Sequence, residues 1–150
     1  HCMVMEIYTI GFTKKGAKKF FSLLEDVDIK QLFDVRIRNR SQLAGFAKRD
    51  DLKYFLRELL NAEYHHQPSL APTKDLLDEW RDDEIVWQEY ENRFYELMER
   101  REIEKEFSPA DFEDRTVLLC SENKPDKCHR RLVVEYLNDE WGDFRATHLY

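Results

Sequence analysis

Two thiols, a carboxylate, an imidazole and a guanidinium crowd one short stretch of the chain: Cys120, Glu122, Cys128, His129 and Arg130, within TVLLCSENKPDKCHRRLVVEYL (Thr116 to Leu137). The apolar run Val117 to Leu119 reads as a strand that stops at Cys120, and Cys128-His129-Arg130 opens an apolar-periodic helix. A strand-to-helix turn at the carboxyl end of a strand is where open α/β sheets bind ligands. Three chemistries use these residue types. Thiolates and imidazole could ligate zinc, with His66 or His148 completing the set. However, Cys120 and Cys128 are separated by seven residues, not by the short interval of zinc sites, so no metal is assigned. A nucleophilic or redox-active thiolate is the second chemistry. Cys128 at a helix start, beside His129 and Arg130, has both the dipole and a cation to lower its pKa, and Cys120 could be its disulfide partner. Cys120 itself, ending an apolar strand, reads as a small buried hydrophobe. The interval of ten positions from Cys120 to Arg130 is too long for the Cys–Arg loop of tyrosine phosphatases and rhodaneses. The third chemistry is acid/base work on a bound anion, with Glu122 as base or acid and Arg130 and the helix N-terminus as the anion cradle.

The second chemically loaded stretch supports the third chemistry. Val35 to Arg49 carries Arg36, Arg38, Arg40, Lys48 and Arg49 and no acid, a local charge of +5 in a chain of net charge −7. It follows directly on a strand that ends near Asp34. Asp34 is a second acid/base candidate, while Arg36, Arg38 and Ser41 are candidate anion ligands. Gly11 and Thr13, after the first strand, join them. By contrast, Asp75 to Asp114 holds 16 acids against five bases and reads as solvated surface.

Positioning these residues requires strands and helices in alternation. Strands are expected at Ile7 to Ile10, Gln31 to Val35, Ala62 to His66, Thr116 to Leu119 and Arg145 to Leu149. Helices are expected over 14–26, Asp50 to Leu60 with Asp50 as N-cap, 73–83 capped by Thr73, Val86 to Glu106 as one long helix, and 127–139. Ser108-Pro109 marks a break or a short helical turn. The fold class is α/β: a single three-layer α/β/α domain over residues 1–150, with a mostly parallel sheet of about five strands and right-handed crossovers. The carboxyl ends of parallel strands open on one rim. That rim collects Gly11, Thr13, Asp34, Arg36, Arg38, His65, His66, Cys120 and Glu122, and His148 at the last strand.

Composition sets the outer bounds. A chain of 150 residues, 42% hydrophobic and 13% aromatic, can bury one proper core. No apolar run approaches a membrane span and no leader is read, so the expected compartment is the cytoplasm. Three cysteines, an odd count, argue against a disulfide framework. Residues 1–4 of the opening HCMVM are set aside as a lead outside the functional fold. The sequence pI of about 5.3 disfavours a nucleic-acid surface, although the basic stretch leaves that partner as the competing class. The favoured partner is a small anionic or nucleotide-like ligand, with no cofactor; oligomeric state is not encoded legibly.

The segments TIGFT (Thr9 to Thr13), FDVRIRNRSQLAGFAK (Phe33 to Lys48), EYHHQPSLAP (Glu63 to Pro72) and LLCSENKPDKCHR (Leu118 to Arg130) resemble the domain of unknown function 488 family. The family pattern runs T-I-G-x-S, D-V-R with a downstream Ser and Gly-Phe-Ser/Asn-Lys, a Tyr-x-His-like third strand with Leu-Gly, then L-x-C-x-E and C-H-R. Thr13 replaces the usual Ser and keeps the hydroxyl. Leu70-Ala71 stands in place of Leu-Gly, and Arg40-Ser41 in place of a common Pro. The resemblance implies an α/β fold with a polar site on one rim and names no reaction.

Overall fold

The computed structural model describes residues 4–37, 45–120 and 128–150. Five strands form one sheet: β1 (Met5–Gly11), β2 (Gln31–Asp34), β3 (Glu63–His66), β4 (Thr116–Cys120) and β5 (Phe144–Leu149). Their spatial order is β3-β2-β4-β1-β5, and every pairing is parallel. The helices are α1 (Ala17–Asp26), α2 (Arg49–Phe55, continued by a π turn over Leu56–Leu60), α3 (Lys74–Arg81), α4 (Trp87–Arg100), α5 (Ile103–Glu106) and α6 (His129–Trp141). The chain is thus of the α/β class, as the alternation implies. Among the described residues no helix is long and apolar enough to cross a membrane.

Both faces of the sheet are covered, which is why the central strand TVLLC is buried at every position. Alternate residues of a strand face opposite sides. Val117 and Leu119 accordingly join Phe20, Phe21 and Leu24 of α1 and Leu52 and Leu56 of the α2 segment in one core. Leu118 and Cys120 join Tyr90 and Phe94 of α4, Ile103 of α5 and Leu132 and Val133 of α6 in the other.

Several boundaries differ from the sequence expectation. The helix expected from residue 14 starts at Ala17, because Lys14 takes a left-handed φ of 63° and Lys15 N–H closes a turn onto Phe12 O at 3.2 Å. Asp50 is not an N-cap: α2 starts at Arg49, Lys48 holds the cap position, and Asp50 lies in the first turn. The expected helix from Val86 to Glu106 is two helices, broken where Glu102 adopts φ 52°. Thr73 does cap α3, accepting from Leu76 N–H at 3.2 Å. Ser108 and Asp111 form a capping box on the short turn Pro109–Phe112.

Candidate functional site

β4 lies between β2 and β1. The helices that follow β1 and β2 pack on one face, while the helix that follows β4 packs on the other. Connections therefore leave β4 and its two neighbours in opposite directions, and a crevice opens at the carboxyl end of β4, the topological switch point. Register sets what meets there: Gly11 of β1 lies beside Cys120, and Asp34 of β2 beside Leu119.

Asp34 is fully buried and Arg36 is 3% exposed. Two residues past the strand end, the Arg36 side chain folds back as a fork on the Asp34 carboxylate. Nε donates to Oδ1 and Nη2 to Oδ2, each at 2.8 Å, and the Arg36 N–H adds a bond to Oδ1 at 3.1 Å. Tyr64, from β3, donates its hydroxyl to Oδ2 at 2.5 Å. His66 Nε2 holds the Arg36 carbonyl at 3.0 Å, and Gln67 N–H holds the Asp34 carbonyl at 2.9 Å. The guanidinium carbon stands 5.5 Å from the ring centre of Phe12, the residue after β1. Arg36 thus reaches from β2 to the loop beyond β1. With Nε and Nη2 committed, its Nη1 is buried and has no hydrogen-bond partner among the described residues.

From the start of α6, His129 Nε2 lies 2.7 Å from the O of Val35, the residue between Asp34 and Arg36. A carbonyl only accepts, so Nε2 carries the proton and Nδ1 presents its lone pair. Nδ1 is 3.9 Å from Cys128 Sγ. Burial drives the His129 pKa down to about 4; the Val35 bond opposes the shift and the Arg130 charge adds to it. The ring is therefore neutral near pH 7. Arg130 is fully buried and donates from Nη1 to Cys120 Sγ at 3.1 Å. The sulfurs of Cys120 and Cys128 meet at bonding distance and are joined as a disulfide. Lys15, in the turn after β1, has its pKa lowered to about 8, first by burial and then by the nearby Arg130 and Lys19 charges.

The sequence candidates distribute as follows. Gly11, Asp34, Arg36, Cys128, His129 and Arg130 lie about the carboxyl end of β4, and Thr13 is exposed on the turn after β1. Arg38, Ser41 and Glu122 lie outside the described residues. His65 turns outward to Glu63 and sets its ring edge against Phe33, away from Asp34. His148 is paired with Thr9 across β1 and β5. Among the described residues no three His, Cys, Asp or Glu side chains converge as a metal site.

Three features escaped the sequence. Tyr64, carried by the Tyr-x-His segment, was given no role because its partner is on another strand. Lys15 could have been suspected from its place just past the Gly11 strand end. The guanidinium expected beside Cys128 sits instead on Cys120, and the two cysteines, joined as a disulfide, are buried, Cys128 at 4% and Cys120 at 1% exposure.

No curated protein and no solved structure matches the chain. A family model, Domain of unknown function DUF488, matches residues 16–137. That match runs from the start of α1 through β2, β3 and β4 into α6, and the chain belongs to the DUF488 family.

Proposed function

We propose that this rim is the active site of a small cytoplasmic enzyme that acts, by acid/base chemistry, on an anionic, phosphate-bearing or nucleotide-like substrate. One observation carries the reading: among the described residues the buried Arg36 Nη1, at the switch point of a parallel sheet, has no hydrogen-bond partner. A buried guanidinium N–H costs free energy until something accepts from it, and an oxyanion is the acceptor it fits best. Asp34 and Tyr64 lock the other edge of the fork, so Asp34 acts here as a positioning carboxylate. Arg130 and Lys15 add positive charge from α6 and the β1 turn. Lys15, titrating near pH 8, suits proton transfer to or from the bound group. In this reading Glu122 is the proton-transfer carboxylate, and Arg38, Ser41, Gly11 and Thr13 are further anion contacts. A nucleic-acid module is the weaker alternative, since an arginine only 3% exposed cannot track a phosphate backbone.

The test is a sulfate titration followed by amide NMR shifts, sulfate being an anion that does not itself titrate near neutrality. Saturable shifts are expected at Gly11, Phe12, Arg36 and Arg130. Arg36→Lys, which loses the planar fork, should weaken binding at least tenfold. Shifts elsewhere, or none at millimolar sulfate, would remove the basis of the proposal.

A further inference from the structure

The anion-binding proposal leaves the Cys120–Cys128 pair without a task. Cys120 ends the central strand and Cys128 immediately precedes α6, a helix of 13 residues. Their sulfurs are joined, Arg130 Nη1 donates to Cys120 Sγ at 3.1 Å, and the Nδ1 lone pair of His129 faces Cys128 Sγ. A divalent sulfur in a disulfide is a weak, neutral acceptor, whereas a thiolate is the acceptor that a fully buried guanidinium matches. The surroundings of Cys120 therefore suit the reduced, ionised sulfur better than the bonded one. The geometry points to a second activity: Cys120 and Cys128 are a thiol–disulfide exchange pair that cycles between dithiol and disulfide with small thiols and disulfides.

The two sulfurs take different parts. Cys128 is the less enclosed and stands at a helix N-terminus, where the backbone N–H groups favour thiolate. It is the sulfur that meets the partner. In the oxidising direction the Cys128 thiolate attacks one sulfur of a small disulfide. A Cys128–partner bond forms, the partner's own bond breaks, and one partner thiolate leaves, taking up the proton that Cys128 gave up. The Cys120 thiolate then attacks the Cys128 sulfur. The Cys120–Cys128 bond forms and the second partner thiolate leaves. Two electrons pass from the protein dithiol to the partner disulfide. In reverse, a small thiolate attacks Cys128 and Cys120 departs as the leaving group. Arg130 stabilises that leaving thiolate, and a more stable leaving thiolate departs faster. Arg130 is thus a positioning and charge-stabilising residue of the exchange.

Glutathione redox buffers test this, on full-length protein with Cys2→Ser to remove the third thiol. Acid quenching, alkylation and intact-mass measurement count the free thiols. The folded protein should pass in one two-electron transition between species with two alkylated thiols and none, and back again on adding reduced glutathione. Cys120→Ser should trap a glutathione mixed disulfide on Cys128. Arg130→Met should move the thiolate absorbance titration of Cys120 to higher pH, and Arg130→Lys should restore most of it. Thiols that stay alkylatable in excess glutathione disulfide would overturn the inference. So would independent glutathione adducts on both cysteines, or a disulfide that opens only on denaturation, which marks a static staple. An unshifted titration in Arg130→Met would remove Arg130 from the exchange.

Discussion

A carboxylate with no water contact survives at Asp34 because four donors converge on it: three from Arg36 and the Tyr64 hydroxyl. Breaking such a pair by deleting one partner leaves a buried charge behind, at a cost of about 3–5 kcal/mol. Arg36→Met is therefore expected to destabilise the fold by that amount in urea unfolding, while Tyr64→Phe, which removes a single bond to a charged acceptor, should cost about 2 kcal/mol. Equal effects would mean that the fork is not what holds Asp34. That Asp34 and Arg36 share one strand end was legible at the residue scale, since both follow directly on an apolar run. Tyr64 was not legible, because strand register is a property of the sheet and not of the local pattern. The thiols teach a related lesson. Cys128, His129 and Arg130 are neighbours in sequence, but successive side chains around a helix start diverge. Arg130 consequently reaches back to the end of β4 and meets Cys120, leaving Cys128 to His129.

Helix boundaries show where tertiary contacts outrank periodicity. Apolar spacing runs on through Leu97, Met98 and Ile103, all buried, so the pattern alone continues the helix to Glu106. The structure breaks it at Arg101 and Glu102. Arg101 Nη1 donates to the carbonyls of Ser69 and Ala71, at 2.6 and 2.7 Å, in and just after the short turn Pro68–Leu70. That tie anchors the end of α4 against the segment that leaves β3. Arg101→Met should remove both bonds and cost about 2–3 kcal/mol in chemical denaturation. A loss below 1 kcal/mol, roughly that of one ordinary hydrogen bond, would show that the break does not depend on the tie. Thr73→Ala, which deletes the one side-chain cap of α3, is expected to cost about 1 kcal/mol. Thr73 was readable because caps are local chemistry. The Arg101 tie was not, because it spans 32 residues to Ser69.

At the scale of the molecule, the alternation of strands and helices made the α/β class legible, and the rim followed from it. The order β3-β2-β4-β1-β5 was not legible, yet it is what sets the Cys120 strand between those of Asp34 and Gly11. One consequence of that placement can be measured on the whole fold. His129, wedged between Val35 and Cys128, has a folded pKa of about 4 against an ordinary value of 6.5. A depressed value means that the unfolded chain takes up a proton which the folded one refuses. Stability from this residue is thus complete above pH 6.5 and is lost as the pH falls from 6.5 through about 4. The full effect is about 3 kcal/mol, from a shift of some two and a half pH units at 1.36 kcal/mol each. Carboxylates titrate in part of the same window, so the comparison must be with a variant that cannot protonate. His129→Gln keeps an N–H able to reach Val35 O. Its unfolding free energy should fall less steeply with acidification than that of the parent, by about one proton's worth of slope between pH 6.5 and 4. Parallel curves for the two proteins would mean that His129 is protonated in the fold, that its Nδ1 carries a proton, and that the lone pair assigned to face Cys128 is not there.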